Sequence, residues 1–366
     1  MNKETRQDLA VYIGRFQPLH NGHLALLQCA LDTAEHVVVV IGSANQARTP
    51  KNPFTWRERA EMVKLALSDA DRARITFLPI RDYYDEERWV NAVQRGVARI
   101  AEERGGSPQP PSPTLIGHFK DATSAYLQRF EGWELQSVER ASPVDAAHIR
   151  DALFGGAGHG LEATLSALAS VAPPTTLDFL RAWSALPFFP ALAREWQMLR
   201  QYRQAWASAP YPPVFVTVDA VVRCAGQILL IQRGQPPGVG LHAVPGGFIE
   251  QRETAYQSAV RELREETRLS LPESTLHAAL KGSAVFDHPD RSQRGRTITH
   301  AFYFDLGEQA LPEVEAADDA QSVAWVPIGQ LGQMEDQFHD DHFHMLDHFL
   351  GLTTGEEDAP PTLHRR

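Results

Sequence analysis

The spacing of apolar and polar positions changes character along this chain, and the changes mark its elements. Residues 10–13 (Ala-Val-Tyr-Ile) and 37–41 are short continuous apolar runs. Between them a glycine-containing loop leads into a segment, 23–34, whose apolar positions recur at helical spacing. Strand, loop, helix and strand within about 30 residues are the mark of a parallel βαβ unit. Helical patterns at 55–68 and 89–103 then alternate with strand-like runs at 75–80 and 114–117, and 105–113, rich in Gly, Pro and Ser, reads as a surface loop. The alternation predicts an α/β domain with a doubly wound, Rossmann-like parallel sheet over residues 1–175.

The pattern shifts after a glycine-rich turn at 155–160. Residues 176–208 carry two helical patterns, the second with Trp196, Leu199, Tyr202 and Trp206 at three- and four-residue steps; the stripe reads as a packed face of a helical connector, 176–209. The run Ala209-Pro-Tyr-Pro-Pro213 breaks that helix. Strand-like runs at 214–223 and 227–233, a Gly/Pro-rich loop at 234–247, a polar helix at 254–267 and further strands near 281–286, 297–306 and 321–326 predict an α+β sandwich over 210–352. The tail, 353–366, is expected to be disordered. No internal repeat is evident.

Composition narrows the class without deciding it. A chain of 366 residues is longer than one hydrophobic core usually serves, which agrees with two domains. No apolar run is long enough to span a bilayer, and no apolar signal core precedes the first strand. The two cysteines, Cys29 and Cys224, are far apart and lack ligand-like neighbours, so a reducing cytoplasm is expected rather than a disulfide framework or zinc. A formal charge of −11 argues against nucleic acid or an anionic membrane as partner. It leaves small phosphorylated ligands open, and a homo-oligomer as well.

The first candidate chemistry is the loop Gly14-Arg-Phe-Gln-Pro-Leu-His20-Asn-Gly-His23. It runs from the C-terminal end of a strand to a helix N-terminus, the place where open α/β sheets bind ligands and where free N–H groups favour an anion. Two imidazoles three residues apart can meet one phosphate, and Gly22 lets the backbone come close; the plainer alternative is a turn with two satisfied histidines. The segment resembles the HxGH signature of the nucleotidyltransferase superfamily, and the longer GRFQPLHNGH resembles nicotinamide mononucleotide (NMN) adenylyltransferases. The stretches 52–59, 82–89 and 117–121 are similar to the same family. The resemblance implies an enzyme that binds ATP and NMN and forms NAD. His20 and His23 would hold the ATP phosphates. Gly14, Arg15, Phe16, Asp82, Gly117, Lys120 and Asp121 would line the nucleotide site, Trp89 would stack on the nicotinamide, and Arg150 would meet phosphate. The family's second motif usually carries hydroxyl residues; here 144–150 reads Val-Asp-Ala-Ala-His-Ile-Arg, with the arginine kept and the hydroxyls gone. Pantetheine-phosphate adenylyltransferases and cytidylyltransferases share HxGH, but GRFQP and Trp89 favour NMN, and no KMSKS-like loop of a tRNA synthetase is present.

The second candidate lies at 245–269. Glu262 and Glu266 are one helical turn apart and Glu265 lies beside them. Three close carboxylates repel unless a hard cation, Mg²⁺ or Mn²⁺, sits among them. Mixed Glu and Arg on a helix is more often a solvated surface, but the preceding glycine loop and the fixed spacing point to metal. The spacing resembles the Nudix box, GX5EX7REUXEEXGU, from Gly247 to Leu269, with Arg268 where the box has its final glycine. The resemblance implies Glu262, Glu265 and Glu266 as metal ligands, Glu262 and Glu266 serving catalysis, and Glu253 and Arg261 bracing the loop. Residues 286–301 are similar to a stretch of NMN adenylyltransferase–Nudix fusions and of Nudix-related NAD repressors, which implies ADP-ribose as substrate. Gly246, Gly247, Arg294 and Arg296 would then bind it, although for the two arginines an ordinary basic hairpin is an equal reading. Glu315, Asp318 and Asp319 are further candidates for ligand or base. His339, His342, His344 and His348 read as polar flanks of a packing helix whose stripe is Phe338, Phe343, Leu346 and Phe349. The non-enzymatic alternative is a Nudix domain that senses ADP-ribose or NAD without cleaving it.

Overall fold

The computed structural model describes residues 6–105, 112–118, 122–138, 145–158 and 160–354. The chain divides within one helix, into a compact unit reaching to Ala193 and a second, Arg194–Thr354.

The first unit is built on β1 (Gln7–Gly14), α1 (Asn21–Thr33), β2 (Ala34–Ile41), α2 (Trp56–Leu65), the single turn α3 (Asp69–Arg72), β3 (Ile75–Pro79), α4 (Glu86–Glu103), β4 (Thr114–Gly117) and β5 (Glu134–Ser137). Its five strands are all parallel, in the order β3-β2-β1-β4-β5. The alternation of side chains along each strand decides which helix covers which face. Leu9, Val11, Ile13, Val38 and Val40 bury against Val90, Val93, Val97 and Ile100 of α4. The intervening residues, among them Ala10, Tyr12, Val37 and Val39, are buried on the opposite face, the face of α1 with Leu27, Ala30 and Leu31. Helices on both faces make the sheet doubly wound, and strand order reverses between β1 and β4. Four helices follow: α5 (Ala146–Gly155), α6 (Leu161–Ala167), α7 (Pro174–Trp183) and α8 (Phe189–Ala205). The division between the two units falls inside segment 176–209. Trp183 of α7 packs on Phe54, ring centroids 4.6 Å apart, and donates to Glu58 at 3.2 Å, which ties that helix to the first unit, whereas α8 continues into the second.

The second unit contains β6 (Val214–Cys224), β7 (Gln227–Arg233), β8 (His242–Ala243), β9 (Gly246–Phe248), α9 (Ala255–Thr267), α10 (Glu273–Ala279), β10 (Leu280–Phe286), β11 (Arg296–Asp305), β12 (Ala320–Pro327), the single turn α11 (Ile328–Leu331) and α12 (His342–Leu350). The sheet order is β10-β11-β6-β7-β12, with β9 on β6 and β8 on β7, and only β11–β6 is parallel. Period-two alternation splits the core. Ala220, Val222 and Leu229 pack with Val260 and Leu263 of α9, and Val221, Ile228 and Leu230 with Phe343 and Leu346 of α12. The result is a mixed sheet between helices, as the α+β reading requires. The histidine-rich segment differs from its reading as polar flanks: His339 and His342 are buried, beside Asp219 and the Arg291–Asp341 ion pair at 2.8 Å.

Candidate functional sites

In the first unit the loop after β1 forms where strand order reverses, the crevice that open α/β sheets use for ligands. Phe16 is fully buried, its ring 5.5 Å from that of Tyr12 and 5.0 Å from that of His23. A Cβ on Gly14 would lie 2.7 Å from the Phe16 ring, which accounts for glycine there. His20 is the N-cap of α1: its Nδ1 accepts from the N–H of Gly22 at 3.1 Å and of His23 at 3.4 Å. That acceptor role places the proton of the neutral ring on Nε2. The His20 and His23 rings stack 3.7 Å apart. Burial, with nearby His20 and Arg15 adding to it, holds the His23 imidazole well below its ordinary range, and its Nδ1 is buried with no hydrogen-bond partner among the described residues. Each neutral imidazole keeps one N–H that can donate to a phosphate oxygen.

The surrounding elements fix this loop from several sides. Gln17 exchanges two hydrogen bonds with the backbone of Phe54, at 2.9 and 3.0 Å. Arg150, on α5, donates to the Gln17 carbonyl at 2.6 Å, and burial beside Arg15 lowers it to about 10, so it stays charged at neutral pH. Arg15 is exposed. Asp82 accepts from Ser43 Oγ at 3.0 Å and from Gln46 Nε2 at 2.7 Å. Trp89 is half-buried in the first turns of α4, edge-on to Tyr126 and Phe130. Gly117 ends β4 under Leu127, 2.8 Å from where its Cβ would be. Lys120 and Asp121 lie outside the described residues. Sequence reasoning gave no role to Gln17 or Arg59, although both stand inside the quoted motifs.

In the second unit, β9 and α9 place the other set of residues. Thr254 and Gln257 form a capping box that starts α9. Glu266 is 2% exposed and accepts from the N–H of Gly246 at 2.9 Å. Burial first, and a hydrogen bond with Asp319 next, push it up to about 9. Glu262 is also raised by burial, against the pull of Arg261. A Cβ on Gly247 would fall 2.5 Å from the Glu262 carboxylate, so only glycine leaves that carboxylate its place. Arg261 is the organiser: it donates to Glu253 at 3.0 Å, to Glu262 and Glu265 at 2.8 Å each, and to the Phe248 carbonyl at 3.2 Å. As it bridges two of the three glutamates, they do not converge on one point, and among the described residues no three His, Cys, Asp or Glu side chains are grouped to hold an ion. The donor chemistry nevertheless suits a divalent cation. Asp319 lies close enough to Glu266 to raise it, a crowding of carboxyl charge that a hard cation would relieve.

Asp319, left unranked among three acidic candidates, thus sits at the site, and Asp318 lies close enough to Glu262 to raise it. Arg294 covers the Phe248 ring at 5.3 Å, next to the glycine loop, whereas Arg296 donates to the Asp287 carbonyl of its own hairpin. Asp219, paired in register with Gly246, is buried, bonded to Thr299, and raised by burial to about 6; no sequence signal marked it. Arg268 caps α9 in the left-handed region at φ 53°, the conformation for which the box carries glycine.

Comparison with known proteins assigns both regions. Residues 213–349 match the model of the NUDIX domain and residues 11–92 that of the cytidylyltransferase-like family. The nicotinamide/nicotinic acid mononucleotide adenylyltransferase of Acinetobacter baylyi is 35% identical over 52% of this chain and 94% of its own length. The nicotinamide-nucleotide adenylyltransferase of Methanolobus tindarius is 44% identical over 37% of this chain and 85% of its own. Across both units, the crystal structure of a bifunctional NMN adenylyltransferase/ADP-ribose pyrophosphatase from Francisella tularensis, complexed with AMP and a manganese ion, superposes with a TM-score of 0.84 at 32% identity, covering 94% of this chain and 99% of that one.

Proposed function

The chain belongs to the bifunctional NMN adenylyltransferase/ADP-ribose pyrophosphatase family, and from that premise we propose how each unit acts. The first transfers AMP from ATP to NMN, giving NAD and pyrophosphate. The second hydrolyses ADP-ribose to AMP and ribose 5-phosphate. The observation that carries this reading is the presence, in one chain matched along 94% of its length, of the stacked His20–His23 pair at the sheet's switch point and of buried Glu266 against the Gly246 N–H.

In the first unit the 5′-phosphate of NMN attacks the α-phosphorus of ATP, the bond to the bridging oxygen breaks, and pyrophosphate departs. No covalent enzyme intermediate is required, so positioning and charge neutralisation supply the rate. His20 and His23 donate from neutral rings to the phosphate oxygens, while Arg15 and Arg150 supply fixed positive charge. Asp82, Gly117 and Trp89 form the nucleotide walls, Trp89 offering its ring to the nicotinamide. In the second unit, water adds to one phosphorus of the ADP-ribose pyrophosphate and the bridging oxygen leaves with the other. Glu262, Glu265 and Glu266 would hold Mg²⁺ or Mn²⁺, which would supply charge neutralisation and water activation. Arg261 and Glu253 hold the glutamates in place, Gly246 and Gly247 bring the backbone close, and Arg294 faces the substrate. The cytoplasm suits the free thiols of Cys29 and Cys224, and no described helix is long and apolar enough to cross a membrane.

The test uses one protein and two assays. His20→Ala should abolish NAD formation from NMN and ATP while sparing AMP release from ADP-ribose. Glu266→Gln should do the reverse. ADP-ribose left intact by the wild type after long incubation with Mg²⁺ would instead support a Nudix unit that only senses its ligand. Loss of both activities in either folded variant would sink the two-site reading.

A further inference from the structure

Arg59 is 1% exposed and, among the described residues, is the bulkiest of the fully buried side chains, and the hydrogen bonds its guanidinium makes to them are all to backbone carbonyls. Nε donates to Thr55 at 3.3 Å, Nη1 to Arg15 at 2.8 Å and Gly42 at 2.7 Å, and Nη2 to Ser43 at 2.9 Å. Burial lowers it to about 10, with Asp82 and Glu58 near enough to favour its charge, so it is cationic at neutral pH. A buried charge is costly to keep, and what it holds therefore decides its meaning.

It holds two loops that mirror one another. Arg15 directly follows β1, and Gly42 and Ser43 directly follow β2. Two residues past the end of each strand stands a non-glycine residue in the left-handed region, Phe16 at φ 50° and Ser43 at φ 51°. L residues rarely take that conformation, because the Cβ meets the neighbouring carbonyl oxygen. In both loops the carbonyl just before the left-handed residue is bound by Arg59, which fixes the plane of the peptide entering it. Each left-handed residue then touches the site: the Phe16 ring lies against His23, and Ser43 Oγ donates to Asp82.

We propose that Arg59 is the positioning residue of nucleotidyl transfer, holding Phe16 and Ser43 left-handed and thereby setting His23 and Asp82 in register with each other. The proposal rests on the adenylyltransferase reading of this site. It is tested with full-length protein by a double-mutant cycle on NAD formation, using Arg59→Ala, Ser43→Gly and the pair, with Arg59→Lys beside them. Arg59→Ala lowers kcat about a hundredfold, the effect of an ångström-scale misplacement, with a smaller rise in KM for ATP. Arg59→Lys recovers only part of kcat, since an ammonium cannot span four carbonyls. Ser43→Gly alone lowers kcat through the lost Asp82 contact. Placed in the Arg59→Ala background, however, it raises kcat about fivefold, because glycine enters the left-handed region without the penalty that Arg59 offsets. ADP-ribose hydrolysis by the same samples normalises active protein. If Arg59→Ala does not fold, Arg59→Lys and its pair with Ser43→Gly are read in the same way. Equal effects of Ser43→Gly in both backgrounds, or wild-type kcat in Arg59→Lys, overturn the proposal alone. A wild type that forms no dinucleotide overturns it together with the reading of the site.

Discussion

The adjacent glycines of β9 should answer very differently to one added methyl group. At Gly247 a Cβ would fall 2.5 Å from Cδ and Oε1 of Glu262, where ordinary contact begins near 3.4 Å. The obstructing atoms are the end of a flexible side chain, so the backbone can stay and the carboxylate must retreat by about an ångström. That is the scale at which misplacement of a reacting group costs about a hundredfold in rate. Gly247→Ala should therefore lower kcat for AMP release from ADP-ribose about a hundredfold in saturating Mg²⁺, while the free energy of unfolding changes by no more than about 0.5 kcal/mol. At Gly246 the same methyl meets the Val218 carbonyl oxygen at 2.3 Å, Asp219 Oδ1 at 2.4 Å and Asp219 Cα at 3.0 Å. Two of these are backbone atoms of β6 and cannot swing aside, so Gly246→Ala should cost about 1–3 kcal/mol of stability. The assays are coupled AMP detection, urea unfolding, and NAD formation as the internal control, which neither change should move. Hydrolysis by Gly247→Ala within about threefold of wild type would show that the Glu262 carboxylate is not needed where the structure puts it.

Two other predictions address proton and backbone. Glu266, raised to about 9 by burial and Asp319, is protonated at pH 7 before a cation enters. Its folded pKa lies above its unfolded one, so its contribution to stability is full below about pH 4.5 and is lost as pH rises through about 9. In chelator the second unit should lose stability across that window. Mg²⁺ should flatten the slope and release protons on binding, with apparent affinity rising from pH 6 to 9; a pH-independent affinity in calorimetry refutes this. Arg268→Gly should stabilise the second unit by about 0.5 kcal/mol, the left-handed penalty relieved less the entropy of glycine, and an unchanged or lower urea midpoint would count against strain at that residue.

What could be read ahead of the structure follows from the range over which each signal acts. β1, β2 and α1 carry dense, regular apolar spacing, and their placement needs nothing beyond about 30 residues of context. β5, by contrast, is four residues with no buried side chain, and α10 is two turns, so neither announces itself. The packing of the connector helices is illegible in the sequence for a different reason. What attaches α7 to the first unit is Trp183 meeting Phe54 and Glu58, a contact more than a hundred residues apart in sequence. The stripe of α8 reads as generic packing because its partner ring, Phe215 against Tyr202 and Trp206, belongs to the next strand.

The candidate sites show the same division between donor sets and what holds them. Motif spacing singles out His20, His23, Glu262 and Glu266 as candidates, because the proposed chemistry restricts residue type at those positions. It is silent about counter-charges, which geometry alone selects. Arg59 stands in a motif, but nothing in Asn52-Pro-Phe-Thr-Trp-Arg-Glu-Arg59 distinguishes a guanidinium aimed at a phosphate from one aimed at four carbonyls. Arg261 is likewise one letter of a box, yet in the fold it joins two of the glutamates that a cation would otherwise draw together. The two sites are built on opposite electrostatic logic. In one, the buried Arg59 guanidinium binds the backbone of the loops that carry the histidine pair. In the other, Arg261 stands among the carboxylates that the proposed divalent cation would compete for. Arg59 and Arg261 each spend their hydrogen bonds on other protein groups, so their substitution should separate KM from kcat, for NAD formation and for AMP release respectively, more cleanly than substitution of the proposed ligating groups.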